Sequence, residues 1–370
     1  PARSASLLFS CDGKTLAFTV SQSAGGTGFD APDYYFYISV GTMPTLYSGL
    51  HLLSHDKPSY VSYERASTFD AAEFPDRAFV YPVADPTDHA TNEELRAMSE
   101  AMKRRILEIN AEDPTAVFGL WVDDLRCRLG YDWFVAQGID SARVKVTMLS
   151  DGTATYNNFH NYFGDAATAE QNWNDYAAEV EALDWNHGGR YPETRAPEEF
   201  ASYTWPYYLS TRPDYRLMLQ NSSLMESSCP FIADRLAAMK IESVQPYELL
   251  TALPEASKQQ FYRMAKFDYA RFAGLFDLSP KKNLIIIGTS HSSAASEQQQ
   301  AAYVERIIQQ YGSDYDIFFK PHPADSSSAG YPDRFEGLTL LPGQMPFEIF
   351  VWALLDKIDM IGGYPSTTFI

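Results

Sequence analysis

Val144-Lys145-Val146-Thr147-Met148-Leu149-Ser150-Asp151-Gly152 runs from a short apolar stretch into an acid and a glycine. An apolar run of this length, stopped by a turn dipeptide, reads as a strand buried on both faces, the kind found in parallel sheets. Upstream, Val117-Phe118-Gly119-Leu120-Trp121-Val122 reads the same way, with a helical stretch through Phe134 between the two. Strand, helix, strand in that order implies a parallel α/β sheet. The pattern returns near the C-terminus. Leu284-Ile285-Ile286-Ile287-Gly288 is followed by a helix around 297–310, by Tyr315-Asp316-Ile317-Phe318-Phe319-Lys320, and by a further strand at Ile358–Ile361.

Outward from these runs, Thr91 and Glu94 form a capping box that opens a helix with apolar Leu95, Met98, Met102, Ile106 and Ile109, ending before Asp113-Pro114. The first 45 residues alternate apolar and polar positions, as in Thr15–Val20 and Tyr34–Val40, and read as a β-rich N-terminal segment. Residues 165–280 read as largely helical, broken by Pro192, Pro197, Pro206 and Pro230. The predicted division is therefore a β-rich segment at 1–45, a first Rossmann-like domain with a helical insertion at 46–275, and a second Rossmann-like domain at 276–370. Two α/β halves joined near 275–283 describe a GT-B-like architecture with a cleft between them. Ligands of parallel sheets gather at the carboxyl ends of the strands, so the loops after 149, 287, 320 and 361 are the places where a site is expected.

Composition narrows the function classes. A chain of 370 residues suits two domains. Hydrophobic residues make up 45% and charged ones 21%, with no apolar stretch long enough to span a bilayer, so any membrane association is peripheral. A formal charge of −19 with no basic run argues against nucleic acid, and an anionic ligand would need a local pocket. Cys11, Cys127 and Cys229 show neither disulfide nor zinc spacing. Pro1 stands where a start methionine would, which suggests a processed or engineered N-terminus. The expected location is cytoplasmic or peripheral to the inner membrane, with export left open.

Four places carry candidate chemistry. Asp151, after the strand at 144–149, is placed to accept a proton from an attacking hydroxyl, although Asp-Gly is also a common turn pair. Lys320-Pro321-His322-Pro323 sets an imidazole and a cation after a strand, suited to a phosphate, with a proline-locked core histidine as the plain alternative. Gly362-Gly363 to Ser366-Thr367 permits close backbone approach and offers hydroxyl and amide donors, or is an ordinary capped helix start. Glu348, a lone acid in an apolar helix, could accept from ribose hydroxyls or simply face solvent.

Taken in order, these elements resemble the bacterial sialyltransferases of glycosyltransferase family 80 and, more weakly, the lipooligosaccharide sialyltransferases. The signatures are an acidic-acidic-Gly motif, matched by Ser150-Asp151-Gly152, and a His-Pro motif, matched by His322-Pro323. Gly288-Thr289, Leu341-Pro342, Phe347-Glu348 and the segment to Ser366-Thr367 fall at similar relative spacings, and the likeness covers roughly 110–370. The resemblance implies that Asp151 is the catalytic base and that His322 assists the departure of CMP. It implies Ser366 and Thr367 on the phosphate, Glu348 on the ribose, and Gly288, Lys320, Pro323 and Pro342 around the nucleotide.

Such enzymes are inverting and metal-independent, so no cofactor is implied beyond the CMP-sugar donor. The partners implied are that donor and an oligosaccharide or glycolipid acceptor. The chain also departs from the family. Ser150 replaces the first signature acid, Ser292 within Ser290-His291-Ser292-Ser293 stands where an acceptor-binding tryptophan is usual, and Asp123 and Asp124 stand near a usual histidine that contacts donor or acceptor, which makes Ser292, Asp123 and Asp124 the acceptor-side candidates. The end at Ile370, soon after the phosphate-binding segment, suggests truncation or a different closure. A CMP-Kdo-dependent transferase and a non-catalytic glycan-binding protein on the same scaffold are the competing readings.

Overall fold

A computed structural model describes residues 3–11, 14–22, 31–123, 131–150, 152–181, 209–212, 214–291, 293–322, 325 and 327–363. Two compact units divide the chain, Pro1–Pro32 and Asp33–Ile370. In the first, β1 (Arg3–Cys11) and β2 (Lys14–Gln22) form an antiparallel hairpin, with Arg3 opposite Gln22 and Cys11 opposite Lys14.

The second unit holds two parallel sheets. The larger contains β3 (Tyr34–Ser39), β4 (Ser59–Tyr63), β5 (Ala78–Val80), β6 (Phe118–Asp123), β7 (Val144–Leu149), β8 (Tyr215–Leu219) and β9 (Ile241–Ser243), in the order β5-β4-β3-β6-β7-β8-β9. The smaller contains β10 (Lys282–Ile287), β11 (Tyr315–Lys320), β12 (Leu338–Leu340) and β13 (Met360–Gly363), in the order β12-β11-β10-β13. The strand order in each sheet reverses at one point, between β3 and β6 and between β10 and β13, and ligands of such sheets bind at that crevice.

Two sequence expectations need correction. The strand at Tyr34–Ser39, assigned from its alternation to the N-terminal segment, is an interior strand of the large sheet, paired on both sides by β4 and β6. Its alternation separates two buried faces rather than a wet and a dry one. Phe36 packs among Met102, Ile106 and Phe118, whereas Tyr35 and Tyr37 pack among Leu46, Leu50 and Trp121. The region 165–280 is not only helical, because it contributes β8 and β9. Arg216 interrupts the apolar run of β8, and β9 is a three-residue edge strand with two polar members, so neither gives a strong pattern.

The expected capping box is present. Thr91 Oγ1 accepts from the Glu94 amide at 3.2 Å, and Glu94 Oε2 accepts from the Thr91 amide at 2.7 Å. Both sheets share one core, in which Tyr37, Trp121 and Leu149 of the larger join Ile285, Ile287 and Phe318 of the smaller. The helices at Glu255–Met264, Tyr269–Phe276 and Phe347–Leu354 add Phe261, Phe272 and Phe350 to it. Among the described residues no helix is long and apolar enough to cross a membrane.

Beneath the large sheet, Tyr37 sits between two imidazoles, its hydroxyl 2.7 Å from His51 Nδ1 and 2.8 Å from His55 Nε2. Burial, reinforced by His55 and Arg216, holds His51 well below the usual histidine range. Burial, with Arg77 and Lys57 acting against Asp56, takes His55 down to about 4. Folded values below the unfolded value of 6.5 mean that this stability is complete above that pH and is lost as pH falls toward 4. The urea midpoint is therefore expected to drop between those limits, and His55→Gln to flatten the drop. An unchanged pH profile in that variant would show that the pair does not govern acid stability.

Candidate active site

The residues after β7 build a tight strand-to-helix turn. Ser150 is fully buried, and its amide donates to the Met218 carbonyl at 3.1 Å. Its hydroxyl accepts from the Gly152 amide at 2.9 Å and lies 3.1 Å from Thr155 Oγ1. Gly152 is the N-cap of the helix Thr153–Phe163, with φ +87° and ψ −130°, a conformation open essentially only to glycine. Ser150 therefore links the end of β7 to the first turn of that helix. Asp151 itself lies outside the described residues. Gly152→Ala is expected to cost about 1–3 kcal/mol in urea unfolding, the usual penalty for such strain.

Tyr156, one turn into that helix, is buried, and its hydroxyl accepts from the Asn221 amide at 2.9 Å, tying the helix to the end of β8.

Asp123 ends β6 at the reversal point of the large sheet and is 0% exposed. Its Oδ2 accepts from the amides of Val40 at 3.1 Å and Gly41 at 2.8 Å. The carboxylate therefore joins the loop after β3 to β6. Asp124 lies outside the described residues.

On the smaller sheet, Lys320 ends β11 only 3% exposed, and its Nζ donates to the carbonyls of Pro321 and Gly343, both at 2.9 Å. Burial takes this ammonium down to about 8, against the nearby Glu348 carboxylate, which favours the charge. Glu348 is partly accessible in the first turn of the helix Phe347–Leu354. Burial raises its pKa, while its own backbone amide, Lys320 and Arg65 act to lower it. His322 is exposed, just past the end of β11. Its pKa lies below the usual value through burial first, then Lys320 and Arg65, with Asp325 opposing.

Gly288 follows β10, and its amide donates to the Lys320 carbonyl at 2.9 Å. Partly buried Pro342 follows Leu341, whose amide donates to the Phe319 carbonyl at 2.8 Å. At the end of β13, Gly363 has φ +118°, and any Cβ there would collide with the Ile287 carbonyl, so the reversal point of this sheet admits only glycine. Gly288, Lys320, His322, Pro342 and Glu348 are thus gathered at one end of the sheet. Ser292, Pro323, Ser366 and Thr367 lie outside the described residues.

The sequence reading missed Arg65. It stands two residues past the end of β4, and its Nη1 donates to Thr42 Oγ1 at 2.9 Å. Its charge acts on both His322 and Glu348 across the space between them. Arg65 and Lys320 thus bring local positive charge to bear on Glu348 and His322 within a chain of net charge −19.

This fold occurs in solved structures. An α/β-galactoside α-2,3-sialyltransferase from Photobacterium phosphoreum superimposes with a TM-score of 0.66 at 17% identity, over 92% of this chain and 87% of that one. The GT-B domain of a Photobacterium damselae sialyltransferase gives 0.64 at 17% identity, over 91% and 87%. A 2,6-sialyltransferase from Photobacterium sp. JT-ISH-224, solved with CMP and lactose, gives 0.64 at 15% identity, over 96% of this chain and 71% of that one. The chain has the GT-B fold of these sialyltransferases. No family model and no curated protein matches the sequence. The polar residues described above lie at or near the carboxyl ends of strands of two parallel sheets, where ligands of such sheets gather.

Proposed function

We propose that this chain transfers sialic acid from CMP-sialic acid to a hydroxyl of an acceptor glycan, with inversion and without a metal. Asp151 accepts the proton of the acceptor hydroxyl, and the oxygen attacks the anomeric carbon as the bond to the CMP phosphate breaks. His322 supports the departing phosphate. With its pKa depressed, the imidazole is largely neutral near pH 7 and acts as an N–H donor rather than as a fixed charge. Lys320 and Arg65 supply the charge, Glu348 accepts from the ribose hydroxyls, and Gly288 and Pro342 border the cytidine. Ser366 and Thr367 hold the phosphate, and Ser292 faces the acceptor.

The observation that carries this reading is the group Lys320, His322, Arg65 and Glu348, drawn from both sheets of a sialyltransferase-like GT-B fold. The relative solved with CMP and lactose supplies the donor product and acceptor to try first.

Incubation with CMP-sialic acid is expected to release CMP in a lactose-dependent manner, and EDTA is expected to leave the rate unchanged. Release from CMP-Kdo alone would move the chain to the other donor. Silence across all donors and acceptors would favour a glycan-binding protein.

A further inference from the structure

A second imidazole stands behind His322. His291 lies in the loop after β10, its side chain 9% exposed, with Nε2 3.7 Å from Oδ2 of Asp325, a carboxylate 1% exposed. Among the described residues, neither ring nitrogen of His291 has a hydrogen-bond partner.

Asp325 belongs to the turn that carries His322, since its amide donates to the His322 carbonyl at 2.9 Å. Its Oδ1 accepts from the Ser327 amide at 2.9 Å and hydroxyl at 2.7 Å, and its Oδ2 from Gln300 Nε2 at 3.2 Å. Gln300 Oε1 in turn accepts from the Thr289 amide at 2.9 Å, so one glutamine ties the loop of His291 to the turn of His322.

Burial alone would raise Asp325, but its hydrogen bonds to Ser327, Ser328 and Gln300 prevail and leave the carboxyl below its usual range. A buried carboxylate needs a counter-charge, and the His291 imidazole, once protonated, is the group within ion-pair range among the described residues. Other charged groups nearby include Lys320 and Arg65, which act on His322, and Glu297 and Arg334, which act on Tyr331.

We propose that His291 is a positioning residue for the nucleotide phosphate: on binding it takes up a proton, pairs with Asp325, and steadies the turn that carries His322. This rests on the CMP-sugar reading above. The two groups stand 3.7 Å apart, within an ångström of hydrogen-bond distance, and an arriving phosphate supplies the negative field that favours the imidazolium.

Calorimetric titration with CMP near pH 7.5, in two buffers of different ionisation heat, counts the protons bound with the ligand. The wild type is expected to take up a substantial fraction of one proton. His291→Asn is expected to lose that uptake and to bind CMP about tenfold more weakly. His291→Gln, closer in bulk, gives the same count should the asparagine variant not fold. A merely structural histidine would weaken binding without changing the proton count. Unchanged uptake in the variants, or no uptake by the wild type, overturns the proposal. A wild type that binds no CMP overturns the nucleotide reading beneath it.

Discussion

Asp151→Asn is expected to lower acceptor-dependent CMP release by about 10²- to 10⁴-fold, the range that a positioned general base contributes. CMP affinity should stay within about twofold, because the amide keeps the shape of the carboxylate and the cations assigned to the phosphate lie on other elements. Among the described residues the turn is held by bonds from Ser150 to Gly152 and Thr155, which the substitution leaves in place. Steady-state kinetics with CMP-sialic acid and lactose would register this as a loss in kcat. If the variant kept wild-type turnover, the base would have to be sought elsewhere.

Phe350→Ala should have the largest effect on stability, at about 3–5 kcal/mol, as for other fully buried aromatics truncated to alanine. Phe350 is 0% exposed and meets Phe272 edge to face at 4.8 Å and Phe267 at 5.3 Å. It belongs to the core that both sheets share, so the cavity would open beneath the junction rather than inside one sheet. It also lies on the helix that carries Glu348, so the variant should bind CMP more weakly as well. Urea unfolding followed by fluorescence measures the first effect and titration the second. A loss below about 1 kcal/mol would mean that the junction repacks freely.

The sequence made the framework of both sheets legible where strands are continuous apolar runs. Val144–Leu149, Leu284–Ile287 and Tyr315–Lys320 occur as strands where their pattern placed them. It misled where a strand alternates between two buried faces, as at Tyr34–Ser39, because periodicity cannot distinguish a second core from solvent.

The site shows the same division. Lys320, His322, Gly288 and Glu348 could be read from their positions at strand ends and beside a glycine or proline, and they come together in space. Arg65 follows a polar-flanked strand, Ser59-Tyr60-Val61-Ser62-Tyr63, too weak in pattern to mark a carboxyl end, so its electrostatic influence on His322 is a property of the tertiary fold alone. Asp123 shows the converse. Sequence could place an acid at the end of β6, but not that two backbone amides from the neighbouring loop already occupy its carboxylate.

The most direct test of the central claim is a crystal of the protein soaked with CMP. The phosphate is expected within hydrogen-bond reach of the His322 imidazole, with the ribose hydroxyls on Glu348 and the base beside Gly288 and Pro342. CMP bound away from the end of the β10–β13 sheet, or no nucleotide density at saturating concentration, would contradict the account.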